Sequence, residues 1–284
     1  MTDQTQISLS IAVVCFNSCE QQLQQLLDST LTAIRALKAQ VNLAPVTLYL
    51  IDNSDRQHLS LEKLSHLKAA CDELQLQLKL LHGHGNVGYG AAHNLVIDKL
   101  QSDYHLLMNP DLRLEQNSLA AGIAFLEQNV GVALASPYAE HEDGQKQYLC
   151  KRYPSVFTFL LRGFLPGFIK RLFAKGLARF EMHELSESQP TLGIPIASGC
   201  FMLCRSAALK QIGGFDERYF LYFEDFDLSL RLTALGQIAY LPSMRITHGG
   251  GNAARKGREH IKMFTRSGIR FFNTHGWRWL RQPG

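Results

Sequence analysis

Hydrophobic and polar positions follow a recurring order along the first hundred residues. An apolar run predicts a buried strand over residues 7–16. Leu23, Leu26, Leu27, Thr30, Leu31 and Ile34 then recur at helical spacing and predict a helix over 21–39. The same reading gives a strand at 46–51, a helix over 61–74, a strand at 76–81, a helix over 91–100 and a strand at 104–108. Strand and helix alternate four times, which predicts an α/β fold: a mostly parallel sheet flanked by helices.

The pattern changes beyond residue 136. Residues 137–155 read as an irregular, partly exposed connection. From Leu165, the positions Phe168, Ile169, Leu172, Phe173, Leu177 and Phe180 follow helical spacing, with Lys170, Arg171, Lys175 and Arg179 opposite or beside that stripe. Residues 163–180 are therefore a basic amphipathic segment, suited to a membrane interface or to an ordinary surface helix. Strand-like sequence returns at 196–204, a helix is predicted over 224–235 with its stop at Gly236, and a strand-like run from Gly236 to Thr247 leads to His248. The C-terminal 35 residues are basic and aromatic, with Phe271, Phe272, Trp277 and Trp279 among Arg270, Arg278 and Arg281. No repeat, low-complexity tract or linker divides the chain.

Composition excludes a disordered chain, because 46% of the 284 residues are hydrophobic and only 19% are charged. A chain of this length can bury a core without a disulfide or metal staple. No stretch approaches the roughly 18 apolar residues that cross a bilayer. Met1 to Gln6 carries no basic residue, so the first apolar run reads as a strand and not as a signal peptide. Cysteines stand at 15, 19, 71, 150, 200 and 204 without a C-x-x-C pair, which predicts reduced thiols in the cytoplasm and no zinc site. The net charge of +4 is uneven: residues 151–180 hold seven Lys or Arg and no acid, and residues 245–284 hold nine and one acid, Glu259. Such a distribution points one face at an anionic partner.

In open parallel sheets ligands bind beyond the carboxyl ends of the strands. Three predicted strands end in polar groups: Asn17, Asp52-Asn53-Ser54 and Asn109-Pro110-Asp111. Asp52 at such an end can meet a ribose or base edge, and Asp111 a metal; each alone reads first as turn chemistry, but three on one edge favour a site. Gly83-His84-Gly85-Asn86-Val87-Gly88 matches G-x-G-x-x-G between a strand and a helix. It reads either as a diphosphate-binding loop, which would admit an NAD-dependent oxidoreductase, or as a glycine-rich turn. Residues 216–227 hold five acids among aromatics, with Asp227 four residues before Arg231. Glu224 and Asp225 fall at the first turn of the predicted helix, where the helix dipole lowers a carboxyl pKa and keeps it ionised. An ionised carboxylate can take a proton from a hydroxyl; simple helix capping is the plainer alternative. His248 is structural, or completes a metal site with Asp111.

Val13-Val14-Cys15-Phe16-Asn17, Asp52-Asn53-Ser54, Asn86-Val87-Gly88-Tyr89-Gly90 with Asn94, Asn109-Pro110-Asp111, and Gly214-Phe215-Asp216-Glu217 through Glu224-Asp225 to Arg231 form an ordered set. It resembles a family 2 glycosyltransferase with the GT-A fold, from about Ser8 to Gly251, nearest the branch with rhamnosyltransferases of bacterial surface-polysaccharide assembly such as O-antigen. The resemblance implies a Rossmann-like GT-A catalytic domain over 1–250, including the basic segment, and a C-terminal extension over 251–284 that faces membrane or acceptor. It implies a nucleotide-sugar donor held by Val14, Cys15, Asn17, Asp52, Asn53, Asn86, Gly88, Tyr89, Asn94, Asn109, Asp111, Ser198 and Gly199. It implies Mg²⁺ or Mn²⁺ on Asp111 and His248, although the usual D-x-D motif stands here as Asn109-Pro110-Asp111, with one carboxylate where two are common. Asp225 would be the catalytic base, with Glu224 beside it, and Gly214, Phe215 and Glu224 would meet the acceptor.

The implied reaction is an inverting transfer of L-rhamnose from dTDP-L-rhamnose to a polyprenyl-diphosphate-linked saccharide. The enzyme would be cytoplasmic and peripheral on the inner face of the cell membrane, held there through Lys170, Arg171, Lys175 and Arg179. A UDP-sugar donor and a non-catalytic nucleotide-sugar-binding protein are the alternatives on the same fold. No nucleic-acid-binding module is present, so nucleic acid is not an expected partner.

Overall fold

A computed structural model describes residues 6–60, 62–163, 171–249 and 257–279. Strands β1 (Leu9–Cys15), β2 (Thr47–Asp52), β3 (Gln77–Leu81) and β4 (Tyr104–Met108) run parallel in the order β3-β2-β1-β4. Every residue of β1 and β4 is buried, as expected of strands covered on both faces. Alternate side chains of β1 divide between two cores. Leu9, Ile11, Val13 and Cys15 pack with α1 (Glu20–Lys38), α2 (Lys68–Leu74) and α4 (Ser118–Gln128). Ala12 and Val14 face Ala92 and Val96 of α3 (Tyr89–Ile97). The chain leaves β1 towards β2 and β3 and returns on its other side as β4. Such a reversal opens a crevice beyond the carboxyl ends of β1 and β4.

The second half extends this sheet as β4-β11-β6-β12-β5, from β5 (Leu112–Leu114), β6 (Val132–Glu140), β11 (Phe201–Arg205) and β12 (Gln237–His248). Here the sheet is mixed: β11 is antiparallel to β4 and β6, and β12 is parallel to β6. Short β7 (Lys146–Gln147) and β9 (Thr191–Leu192) pair with β6 and β12, and β8 (Cys150–Lys151) with β10 (Ile196–Ala197) forms a separate ribbon. Further helices among the described residues are α5 (Val156–Gly163), α6 (Ala174–Phe180), α7 (Ser206–Gln211), α8 (Glu224–Leu232) and α9 (Arg258–His275).

Several expectations change. Residues 137–155 are only in part an irregular, exposed connection: their start belongs to β6, an inner strand of the sheet that is buried but for its last residue, and the two-residue strands β7 and β8 follow an exposed turn at 141–145. The Ala-rich sequence of β6 has Pro137 and a single β-branched residue, Val132, so the usual signal of a strand is weak, and its alanines suit a position covered on both faces. The predicted strand 196–204 is broken by Ser198–Cys200 into β10 and β11. The helix predicted over 61–74 is a 3₁₀ turn, Ser65–Leu67, followed by α2. Phe271 and Phe272 are not interface residues: they are 0% and 4% exposed, in an aromatic core with Phe159, Tyr219 and Phe223. Burying each such ring contributes about 1.5–3 kcal/mol, so α9 is firmly docked where α5 meets the start of α8.

Of the basic segment, Lys170 with Leu165, Phe168 and Ile169 lies outside the described residues. Arg171 and Lys175 are exposed, Arg179 is half-buried, and Leu172 (79%) and Phe173 (41%) are exposed as well. Only Phe180 of the described stripe is buried. Among the described residues no helix is long and apolar enough to cross a membrane.

Candidate active site

Asp225 sits in the first turn of α8, opposite the break between β10 and β11. The Gly199 N–H donates to its Oδ2 (2.9 Å) and the Phe226 N–H to its Oδ1 (2.9 Å). The Gly199 carbonyl accepts from the Tyr89 hydroxyl at 2.5 Å, so the peptide between α3 and α8 is held at both ends. Gly199 stands in a tight space: a Cβ there would lie 3.0 Å from the Asp225 Cβ and 3.4 Å from the Tyr89 ring. Just before α8, Tyr222 and Phe223 take φ of 70° and 67°. Such left-handed conformations cost about 1–3 kcal/mol each in non-glycine residues and persist only where the surroundings dictate them. The aromatic core around Phe223 and the bond from Ser267 Oγ to the Leu221 carbonyl (2.9 Å) supply that constraint.

Burial dominates the electrostatics here. It raises Glu224 well above the usual carboxylate range, with the charge of Asp225 adding to it, and one Glu224 oxygen is buried without a hydrogen-bond partner. Burial also raises Asp225, opposed by the amides of Gly199 and Phe226 and by the Lys151 charge. The lowering expected from the helix dipole is therefore reversed for both acids. Tyr89 is pushed well up, first by burial and then by Cys200, Glu224, Asp225 and Asp111. Burial lifts Cys200 to about 12, where Asp111 and Asp225 also act on it. Asp111 and Asp225 thus act on both Tyr89 and Cys200.

Asp111 and His248 lie 137 positions apart in the chain, yet β5 pairs with the end of β12 and sets Leu112 opposite His248. The Asp111 carboxylate is 3.5 Å from His248 Nε2, and the Gly249 N–H donates to the Asp111 carbonyl (2.9 Å). His248 Nδ1 meets Gln147 Oε1 at 2.8 Å. An amide oxygen accepts, so Nδ1 carries the proton and, in the neutral ring, Nε2 turns a lone pair towards Asp111. Among the described residues no third His, Cys, Asp or Glu joins them. One carboxylate oxygen and one imidazole nitrogen suit Mg²⁺ or Mn²⁺ if a ligand supplies the remaining oxygens.

The wall beyond β1 and β2 is built from side chains turned inwards. Asp52 is 1% exposed and accepts from the amides of Ser54 (3.2 Å), His58 (2.6 Å) and Leu59 (2.8 Å). Burial works to raise this carboxyl, but the Leu59 amide, the Ser54 hydroxyl and the His58 amide outweigh it, and its pKa is lowered. Asn53 is also buried; it accepts from Val87 N–H (3.1 Å) and donates to Asn86 Oδ1 (3.1 Å) and to the Gly88 carbonyl (3.3 Å). Gly88 takes φ +91° and a Cβ there would lie 2.4 Å from the Phe220 carbonyl, which accepts the Tyr89 N–H (3.1 Å). Val14 and Cys15 are buried in β1; Asn17 is exposed at its end, and its N–H reaches Ser54 Oγ (3.0 Å). Asn109 and Ser198 are half-buried at the crevice, with the Asn109 N–H on the Cys200 carbonyl.

The profile of Glycosyl transferase family 2 matches residues 10–213. The chain belongs to family 2 of the glycosyltransferases. The enzyme is 27% identical over 219 residues to an N-acetylglucosaminyl-diphospho-decaprenol L-rhamnosyltransferase of Mycobacterium tuberculosis, covering 72% of this chain and 70% of the relative. It is 24% identical over 173 residues to rhamnosyltransferase WbbL of Escherichia coli K12, covering 58% and 61%. Its fold resembles the crystal structure of GalNAc-T7 with UDP, GalNAc and Mn²⁺, at a TM-score of 0.62 and 17% identity over 94% of this chain and 48% of that one. The fold is thus GT-A.

Within this glycosyltransferase some expected contacts are not available to a ligand. Phe215 is 2% exposed, stacked on His93 and edge-on to Tyr89, so its ring is core and not an acceptor platform. Gly214 is buried against Asn94, whose amide grips the Phe215 backbone from both sides (2.8 and 2.9 Å) and also binds Glu217. Asn94 therefore anchors the Gly214–Glu217 loop instead of reaching the crevice. Asp52 and Asn53 are buried in the wall, where Asp52 ties down residues 54–59 and Asn53 ties down residues 86–88. Gly83 and Gly85 take φ of +87° and +67°, the left-handed turn conformation, and a Cβ at either would meet nothing within 4 Å. Gln147, Lys151 and His275 were not foreseen. Gln147 and Lys151 lay in the stretch read as irregular, and nothing local marks His275 as the partner of Asp227 (2.8 Å).

Proposed function

We propose that the enzyme transfers L-rhamnose from dTDP-L-rhamnose, with inversion, to a hydroxyl of a saccharide carried on a polyprenyl diphosphate. The observation that carries this reading is Asp225, half-buried at the crevice and oriented by the amides of Gly199 and Phe226. Its remaining lone pairs take the proton of the acceptor hydroxyl. That oxygen then attacks the anomeric carbon from the face opposite the diphosphate, and the bond from anomeric carbon to diphosphate oxygen breaks. Burial raises Glu224 well above the usual carboxylate range, which disfavours a second negative charge beside the base. Bound Mg²⁺ or Mn²⁺ would stabilise the negative charge that develops on the departing diphosphate. Asp111 and His248 would hold it.

The donor sugar and the lipid-linked acceptor are supported by the rhamnosyltransferase relatives, one of them named for N-acetylglucosaminyl-diphospho-decaprenol. Work on the inner face of the cell membrane is supported by exposed Leu172, Phe173, Trp277 and Trp279 beside exposed Arg171 and Lys175. The test is nucleoside diphosphate release from a panel of dTDP- and UDP-sugars, with Mg²⁺ or Mn²⁺ and a membrane extract as acceptor source. Turnover of dTDP-rhamnose, reduced about 10²–10⁴-fold in Asp225→Asn, is expected. Turnover of a UDP-sugar alone would replace the donor; donor binding without turnover, unchanged in Asp225→Asn, would refute the catalytic reading.

A further inference from the structure

An open groove of about 1020 Å³ lies between the loop after β8, α5 and α6. That is the upper end of the roughly 300–1,000 Å³ typical of ligand sites. Phe157, Leu161, Leu177 and Phe180 contribute an apolar lining. Arg152, Arg171, Lys175 and Arg278 add cations, and no Asp or Glu is among the described residues that line it. Arg152 is braced by Glu184 and Arg278 lies 3.9 Å over the Tyr153 ring, whereas Arg171 and Lys175 are exposed. The β8–β10 ribbon links the groove to the site along the chain. Arg152 follows Lys151, which pairs with Ile196 in the β8–β10 ribbon; Pro195, also in the lining, precedes Ile196. Gly199, three residues beyond Ile196, holds the base Asp225.

We propose that this groove binds the phosphate-bearing isoprenoid of the acceptor, with the phosphates at the cationic rim and the chain along the aromatic lining. The proposal rests on the reading that the acceptor is lipid-linked. A free phosphate would satisfy the cations but gain nothing from the apolar lining. A flat bilayer surface would not fill a concave groove, whereas a single chain with an anionic head uses both features. The position also orders the acceptor: its sugar at Asp225 and its lipid leading away past Arg152.

The two tryptophans of the chain, Trp277 and Trp279, flank the groove residue Arg278 and report on it. Their fluorescence is followed in the full chain against geranylgeranyl diphosphate below its micellar concentration, inorganic pyrophosphate, and phosphatidylglycerol vesicles, with dTDP and Mg²⁺ saturating the donor site. Two variants are compared: Arg171→Glu with Lys175→Glu, and Gly176→Phe, since Gly176 is in the lining and a Cβ there meets nothing within 4 Å. Saturable quenching by the isoprenoid, at least tenfold weaker for pyrophosphate and for both variants, is expected. Equal response to pyrophosphate, response to vesicles alone, or unchanged isoprenoid affinity in both variants would overturn the proposal. Calorimetric dTDP binding is measured alongside in all three proteins. If it is retained while the isoprenoid fails to bind, only the groove assignment falls; if it is absent while the isoprenoid binds, the nucleotide-sugar reading falls instead.

Discussion

Gly199→Ala tests whether the peptide at 199 aims the base. The added Cβ would stand 3.0 Å from the Asp225 Cβ and 3.4 Å from Tyr89 Cε1. Carbon atoms settle at about 3.5–4.0 Å, so Asp225 and Tyr89 must give by a few tenths of an ångström. The bond from Gly199 N–H to Asp225 Oδ2 is 2.9 Å now, and that displacement lengthens it towards the edge of the useful range. A hydrogen bond to a charged group is worth about 1.5–3 kcal/mol, and weakening this one should cost up to about that much. At roughly 2–4 °C per kcal/mol for a chain of this size, Tm should fall by up to about 3–12 °C. Misplacing a catalytic group by about 1 Å costs up to 10²-fold in rate, so a shift of a few tenths should lower kcat by roughly 3- to 10-fold with KM for the donor unchanged. Thermal melts and steady-state release of nucleoside diphosphate measure both. A lowered Tm with unaltered kcat would refute the claim that Gly199 orients the base.

Other expectations follow from the same contacts. Glu224, raised well above its ordinary range by burial, binds more protons folded than unfolded; its contribution is fully present below the unfolded value of about 4.3 and is lost as pH rises towards its folded value. Glu224→Gln removes that loss, so the urea midpoint of the variant should gain on the parent between pH 5 and 8; parallel curves would contradict it. Gln147→Ala frees the His248 ring, and activation by Mg²⁺ or Mn²⁺ should need about 10–100-fold more metal with kcat at saturation preserved. His275→Ala leaves one oxygen of Asp227, 1% exposed, without its partner while Arg231 keeps the other (2.7 Å), so stability should fall by about 1–3 kcal/mol in urea titration.

The first half of the fold was readable because its signals are local. Apolar runs at 7–16, 46–51, 76–81 and 104–108 alternate with helical periodicity, and the structure places β1 to β4 there. The second half was harder for two physical reasons. β6 is covered on both faces and rich in alanine, so alternation and β-branching mark it only weakly. α9 buries Phe271 and Phe272 beneath α5 and α8, although its basic composition reads as a surface tail. The candidate site divides in the same way. The acids of α8 and the strand-end polar groups stand out because such residues are unusual beside apolar runs. Buried anchors such as Phe215, Asn94 and Asp52 look the same in sequence whether they touch a ligand or another loop.

The sequence by itself determined the family, the order of strands and helices up to β4, and the residue types available for chemistry, since periodicity and motif spacing are properties of neighbours in the chain. Only the tertiary structure decided which of them meet. Antiparallel pairing of β5 with β12 brings Asp111 to His248, and the break between β10 and β11 turns the Gly199 amide onto Asp225. Packing depth also reversed the pKa shift expected of the helix-start acids, because burial outweighs the helix dipole there. These are contacts across long sequence separations, and no local pattern carries them.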